Sequence, residues 1–452
     1  MSNRSKVAVI GAGITGLSAA WLLASKFDVT LFEAEDRLGG HANTVDVHAP
    51  DGRCPIDTGF IVYNTASYPN LIALFERLGV PVAETDMGFS VSLGEGRYEY
   101  AGTGITGLIG QVRNMASPAH WRLISEIFRF FREARSAGAL NTDSTITLGA
   151  WLEKHKYSKQ FIHAHIVPMG AAIWSTPAEE MLAFPFAAFA RFFANHGLLQ
   201  TFRRPPWRTV RGGSREYVMR LAAQFDGRII TNDPVVAVNA APGRVSIVTA
   251  RGTTAIFDAA LLACHADEAV RLVLPLDPDD RTVLSQFRYA ENTAVLHTDV
   301  QHMPRRRALW SAWNYIGSAS ERNGRVSDRL SVTYWMNKLQ PLQTKTDYFV
   351  TLNPQQPVDA RKVVQTFSYR HPMFDAAALN AQVKLPGLQG RNSLWFAGSY
   401  FGYGFHEDGV QAGLAAAEDL SARLGAAVLR PWSWDVSKSR IPTGRAAAAE
   451  AA

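Results

Sequence analysis

Three glycines, Gly11, Gly13 and Gly16, stand between an apolar run at residues 6–10 and a stretch rich in Ala and Leu. Glu33 follows seventeen residues after the last of them. Gly11 permits a tight turn, Gly13 lets the backbone approach a pyrophosphate, and Gly16 lets the next helix pack closely on the strand. Ile14 and Thr15 open that helix, whose free N–H groups and positive dipole end face the phosphates. Glu33, with Ala34 beside it at the end of a second strand, is placed to accept hydrogen bonds from ribose hydroxyls. Strand, glycines, helix, strand and acid in this order predict a dinucleotide site. Arg37, Gly39 and Gly40 come directly after the acid. Two glycines beside an arginine give a backbone able to approach phosphates and a charge to neutralise them, which points to FAD rather than NAD.

A second segment with chemical potential is Tyr400-Phe-Gly-Tyr403-Gly-Phe-His406-Glu407-Asp408. Glycines let it pass close to a ring, and its aromatics offer an apolar wall. His406 and Glu407 are candidate proton-handling groups, with Tyr403 beside them. The competing reading is a structural loop, in which His406 caps backbone groups and the two acids favour a helix N-terminus. His41 and Asn43, beside the pyrophosphate loop, are expected to be cofactor or backbone partners rather than bases, and His265 to be structural. His163 and His165 are two apart and diverge on a helix, so no metal is expected there. Neither H-E-x-x-H nor G-x-S-x-G occurs.

The elements that must position these residues read as follows. Residues 6–10 form a buried strand, 14–26 a helix and 28–33 the next strand, a β-α-β unit with a parallel pair. A further helix is predicted near 68–79, hairpins over 85–103, and mostly helix, unusually aromatic, over 105–207. Residues 212–224 read as a helix, with short strands at 228–230, 235–238, 245–248, 254–257 and 259–264. Strand-like runs recur through 291–370. Residues 394–397 read as a last strand and 409–424 as a last helix, with 400–408 as the loop between them. The predicted fold class is α/β: a discontinuous Rossmann-type nucleotide-binding domain with a mixed α+β substrate domain. The nucleotide-binding domain is expected from residues 1–75, 208–290 and 388–430. The substrate domain is expected from 76–207, mostly helical, and 291–387, with strands. Residues 431–452 form a tail.

Composition narrows the class. The chain has 452 residues, 47% apolar and 19% charged, as for a globular protein with a large core. Its formal charge of +6 suits an anionic cofactor or a membrane surface and does not by itself indicate nucleic acid; no nucleic-acid-binding pattern is present. Two cysteines, Cys54 and Cys264, without a C-x-x-C pair, exclude a dithiol relay and fit a reducing cytoplasm. The apolar start contains the three glycines at motif spacing, so it reads as neither signal peptide nor membrane span. The expected location is the cytoplasm, with peripheral contact at the inner face of a membrane as a further option.

The run VAVIGAGITGLSAAWLL, followed by LFEAEDRLGG, resembles the flavoprotein superfamily of amine oxidases, phytoene desaturases and protoporphyrinogen oxidases. The segment Ile56-Asp57-Thr58-Gly59 is similar to its D-x-G turn at the flavin. Val235 and Val236 match the strand whose backbone meets adenine. LWFAG, which ends at Gly398, and the later Gly409-Val410 resemble the C-terminal flavin motif, whose helix N-terminus faces the flavin edge where negative charge gathers on reduction. Two positions depart from the pattern: His41 replaces a common arginine, and Ser399 a common acid. The resemblance implies non-covalent FAD, because no cysteine stands where covalent relatives attach theirs. RLGGHANT, IDTGFIVYN and YFGYGFHEDG resemble a bacterial branch met beside cyclopropane-fatty-acid synthases, an association that points toward acyl lipids.

The expected function is therefore hydride transfer between FAD and an apolar substrate, an acyl lipid, by desaturation, oxidation or double-bond isomerisation. With one glycine motif only, electrons are expected to leave to oxygen, a quinone or a carrier protein. The alternatives are a flavin amine oxidase that makes hydrogen peroxide and a flavin-bearing accessory protein of a lipid methyltransferase. For the substrate, residues 181–193 and 124–131 are rich in aromatic and aliphatic side chains, with Arg191, Arg203, Arg204, Trp207 and Arg208 following. They suit a core, an apolar tunnel or a surface that dips into a bilayer. Trp174, Phe184 and Phe189, and then Trp313, Tyr315, Tyr334 and Trp335, are the expected wall.

Overall fold

The computed structural model describes residues 4–139, 146–174, 178–200, 205–317 and 330–433. Val7, Ala8 and Val9 are wholly buried, because Lys6–Ile10 is the central strand of a five-stranded sheet covered on both faces. The order across that sheet is Arg228–Ile230, Asp28–Phe32, Lys6–Ile10, Ala259–Leu262 and Leu394–Phe396. Every neighbouring pair is parallel, so three distant stretches of chain build one sheet. Two helices, Ile14–Leu23 and His406–Arg423, pack together over it. Gly413 permits the contact, since a Cβ there would lie 2.3 Å from the Thr15 carbonyl oxygen.

A second, seven-stranded sheet runs in the order Val363–Met373, Arg288–His297, Phe349–Leu352, Leu330–Trp335, Trp313–Gly317, Phe89–Leu93 and Tyr98–Ala101. It is antiparallel except where Trp313–Gly317 meets Phe89–Leu93. The helices Pro118–Ala139 and Phe186–Asn195 complete a second hydrophobic core with it, separate from the core of the parallel sheet.

Buried Asp57 ties the two bodies together. Its carboxylate accepts hydrogen bonds from Thr44 Oγ1 at 2.6 Å, Ser214 N at 2.8 Å and Gln340 Nε2 at 2.9 Å. Burial pushes this carboxyl up to about 6, against the pull of those donors.

Several expectations need correction. The last helix begins at His406 rather than at residue 409, because Asp408 accepts the Tyr403 and Phe405 N–H groups at 3.0 Å each and starts the helix a turn early. Phe184 and Phe189 are buried in the second core, as are Ile124, Ile127, Phe130 and Phe131. Those stretches are core, apart from Phe128, and present no broad apolar face to a bilayer. Arg203 and Arg204 lie outside the described residues, as does the Trp174 side chain. Tyr315 is core, and Trp335 packs edge-on to Trp310 in a small cluster of its own. Among the described residues no helix is long and apolar enough to cross a membrane.

Candidate cofactor and substrate site

Where the two cores meet, a cavity of about 1010 Å³ opens. At one end it is lined by Gly11, Gly13, Ile14 and Thr15, at the tip of the central strand and the start of its helix. A Cβ built on Gly13 meets nothing within 4 Å, so it would project into open cavity; one on Gly16 would strike the Gly11 carbonyl oxygen at 1.8 Å. The first glycine clears a path to the helix N-terminus, and the second seats the helix on the strand. The cradle thus fits a pyrophosphate.

Glu33 and Ala34 also line the cavity. The Glu33 carboxylate accepts the Ala12 N–H at 2.8 Å and the Glu35 N–H at 2.9 Å. Burial raises its pKa while these bonds oppose the shift. Each oxygen keeps acceptor capacity for a ribose hydroxyl. Arg37 donates to the Gly40 carbonyl at 2.9 Å and pairs with Glu35 at 2.9 Å, so its first task is to hold the glycine loop in shape. Gly39 and Gly40 both sit at positive φ (112° and 55°), which favours glycine there. Thr58 and Gly59 line the cavity through a close approach to His41: a Cβ on Gly59 would lie 2.1 Å from the His41 carbonyl oxygen.

Around His41 lies a group of rings. Its centroid is 5.2 Å from Tyr369, 5.3 Å from His371 and 6.4 Å from His265. His41 Nε2 is buried and has no protein partner, a donor or acceptor left for a bound group. Burial, then the neighbouring His265, pulls His41 down to about 4, and burial, then His41, pulls His371 down to about 3. His265 caps the helix Ala266–Leu272, its N–H bonded to Glu268 at 3.1 Å, which is the structural place expected; it also stacks on Tyr289 at 4.2 Å and lines the cavity. Tyr369 and His371 were not foreseen. Tyr369 Oη accepts from Asn43 Nδ2 at 2.9 Å and pairs with Thr58 Oγ1 at 2.7 Å. The signal available was Val363–Met373 itself, a long strand carrying Tyr369, Arg370 and His371 in succession.

The C-terminal residues divide between cavity and frame. Gly398, Ser399, Tyr403 and His406 line the cavity. His406 stacks on Phe60 at 3.7 Å and its Nε2 lies 3.0 Å from the Tyr217 hydroxyl; burial draws its pKa down to about 3. It stands in the site as a neutral imidazole. Glu407 does not line the cavity. Its buried carboxylate accepts Asn70 N, Asn70 Nδ2 and Leu71 N at 2.8–3.0 Å, which caps the helix Pro69–Leu78. The expected proton role is therefore replaced by a structural one. Gly409 and Val410 lie one turn inside the helix; a Cβ on Gly409 would come 2.9 Å from Thr15 Oγ1, so this glycine lets two helix N-termini converge. Val235 lines the cavity, whereas the Val236 side chain is 49% exposed and does not.

On the side of the second core much of the lining is apolar. Met87, Phe89, Ile173, Phe192, Trp313 and Tyr334, which belong to that core or pack against it, make up this apolar lobe. Of the expected wall, Trp313 and Tyr334 are here, stacked edge-on at 5.0 Å. Among the described residues lining the cavity, the acids are Glu33, Glu35 and Glu268, all on the side of the parallel sheet.

The family described as flavin containing amine oxidoreductase matches residues 14–309. An L-amino-acid oxidase of Pseudechis australis is 54% identical over 44 residues, which are 10% of this chain and 8% of that protein. Among solved structures, a cyclohexylamine oxidase from Brevibacterium oxydans IH-35A superposes with a TM-score of 0.69 at 16% identity, over 93% of this chain and all of its own. A CLA-producing fatty acid isomerase from P. acnes superposes at 0.63 and 16% identity, over 94% of this chain and 99% of its own. At such identities these two likenesses establish the fold.

Proposed function

From the premise that this chain belongs to the family of flavin containing amine oxidoreductases, we propose that it is an FAD-dependent oxidoreductase acting on an apolar substrate of the acyl-lipid class. The observation that carries this reading is that the apolar residues on the second core's side line the same cavity as the nucleotide cradle. Bound FAD would supply the hydride chemistry. Gly13, Glu33, Thr58 and Ser399 would hold it, with the helix N-terminus at Ile14 toward its phosphates.

The protein's own part is exclusion and orientation. Phe60, Phe192, Phe405 and Tyr403 present ring surface to the cavity, and Phe192 packs against both Tyr403 and Phe405. His406 and His371 are held neutral, so an acyl chain meets no charge there. The paired Tyr369 and Thr58 hydroxyls, both in the cavity lining, offer a place to hold a proton. An ammonium group entering the lobe finds no carboxylate among its described lining residues. The family and the cyclohexylamine oxidase likeness nevertheless support an amine as the second reading.

Anaerobic absorbance separates the readings. The protein is mixed with lipids bearing unsaturated, cyclopropane or methyl-branched chains, and separately with a panel of amines. Bleaching of the flavin band by lipid, with a changed acyl chain in the products, is the expected result. Bleaching by an amine alone overturns the lipid reading. Silence toward both, with lipid unchanged, moves the protein to a flavin-bearing accessory role, for which a lipid methyltransferase is the partner to test.

A further inference from the structure

Most large apolar side chains at the surface stand singly along the chain, but Ile105, Val112, Met115 and Trp121 do not. They are 78%, 85%, 55% and 49% exposed and fall on three consecutive helices, Gly104–Ile109, Val112–Met115 and the start of Pro118–Ala139. Hydrogen bonds lace these helices into one body. Trp121 Nε1 donates to the Met115 carbonyl at 2.9 Å, Asn114 Nδ2 to the Ile109 carbonyl at 2.8 Å, and His120 Nε2 lies 3.0 Å from the Leu108 carbonyl. The inner sides are spent on this lacing and on the second core, where Leu123 and Ile124 are buried. The outer apolar residues have no intramolecular reason to be there.

Charge selects the partner. Residues 100–125 contain no Asp or Glu, and they carry Arg113 and Arg122. Arg122 is 63% exposed even though its Nε reaches the buried Glu126 at 3.2 Å. Exposed aliphatic residues, a tryptophan with a polar edge and flanking arginines without acids match the boundary of an anionic bilayer.

Position supplies the reason. The patch follows directly from the strand pair Phe89–Leu93 and Tyr98–Ala101. Gly102 N donates to the Phe89 carbonyl at 2.8 Å, and a Cβ on Gly88 would touch Thr103 at 2.9 Å. Met87 and Phe89, on either side of Gly88, line the apolar lobe.

We infer that residues 104–122 are a docking surface for an anionic lipid bilayer and bring the apolar lobe to the source of its substrate. The second part rests on the acyl-lipid reading above; the docking itself does not.

The test is co-sedimentation of the full-length, FAD-loaded protein with phosphatidylglycerol–phosphatidylcholine vesicles and with pure phosphatidylcholine vesicles. The comparison variant is Ile105→Ser, Val112→Ser, Trp121→Ser, with flavin content and circular dichroism confirming its fold. The wild type is expected to sediment with anionic vesicles, less so at high salt, and the variant to partition about tenfold more weakly. Equal sedimentation of both proteins, or none by the wild type, overturns the proposal. So does a wild type that stays off vesicles but self-associates in light scattering while the variant is monomeric, because the patch is then a protein interface. Vesicle binding without lipid turnover leaves the docking surface standing and removes the substrate reading, so the two failures are distinguishable.

Discussion

At Gly13 the backbone has φ −70°, which any residue adopts, and a Cβ there points into open space. Gly13→Val is therefore expected to fold normally while filling the space of a phosphate. Titration of the apoprotein with FAD should show affinity reduced by at least about tenfold, or about 1.4 kcal/mol; unchanged affinity would remove Gly13 from the cradle. The histidines make a second prediction at this scale. Burial depresses His41 to about 4 and His371 and His406 to about 3. Each binds its proton more readily when unfolded, so the stability it contributes is complete above its ordinary value of about 6.5 and drains away as pH falls toward its folded value. Melting of the apoprotein should accordingly fall between about pH 7.5 and about pH 5, and His371→Asn should flatten that fall. An equally steep fall in the variant would show that His371 is not among the responsible groups.

At the scale of elements, the helix His406–Arg423 joins the site to its frame. Its first residue lines the cavity, its second caps the helix Pro69–Leu78, and its third starts the helix itself. The cap assigns Glu407 to stability. Glu407→Gln keeps the shape but loses acceptor strength toward two backbone N–H groups, which should cost about 1–3 kcal/mol. Urea denaturation measures that loss. The pH profile of flavin reduction by substrate should stay in place, since a carboxylate outside the cavity does not handle the reacting proton. A profile that moved with this substitution would restore Glu407 as a proton carrier.

On the scale of the whole molecule, the cavity lies between two hydrophobic cores, and Asp57 links the chain stretches that build them. A ligand that fills the cavity holds both sides. FAD at about a hundredfold excess over its Kd should add about 2.7 kcal/mol to unfolding. Tryptophans report on the two sides separately: Trp395 belongs to the parallel-sheet core and Trp151 to the other. Single-tryptophan variants should show both signals shifting to higher temperature with FAD. A shift confined to Trp395 would mean that the cofactor is bound by the parallel-sheet side alone.

Much of the nucleotide end was legible in the chain because its signals are local. The strand Lys6–Ile10, the glycines and Glu33 act through backbone geometry within about thirty residues, and steric rules for glycine hold whatever surrounds them. The pieces at 259–262 and 394–396 were readable as short apolar runs, as buried parallel strands must be, and 228–230 as a short strand at the sheet edge. The rest was decided by tertiary contact. Phe189 and Phe192 are alike in sequence, three residues apart on one helix, yet only Phe192 reaches the cavity. His406 and Glu407 are adjacent, but helical geometry sends one into the site and the other beneath it. Tyr369 and His371 meet His41 only because Val363–Met373, the edge strand of the second sheet, lies against the cavity. Residue type and spacing determine what a segment is able to do, but the direction in which a side chain points depends on its partners, and those lie hundreds of residues away.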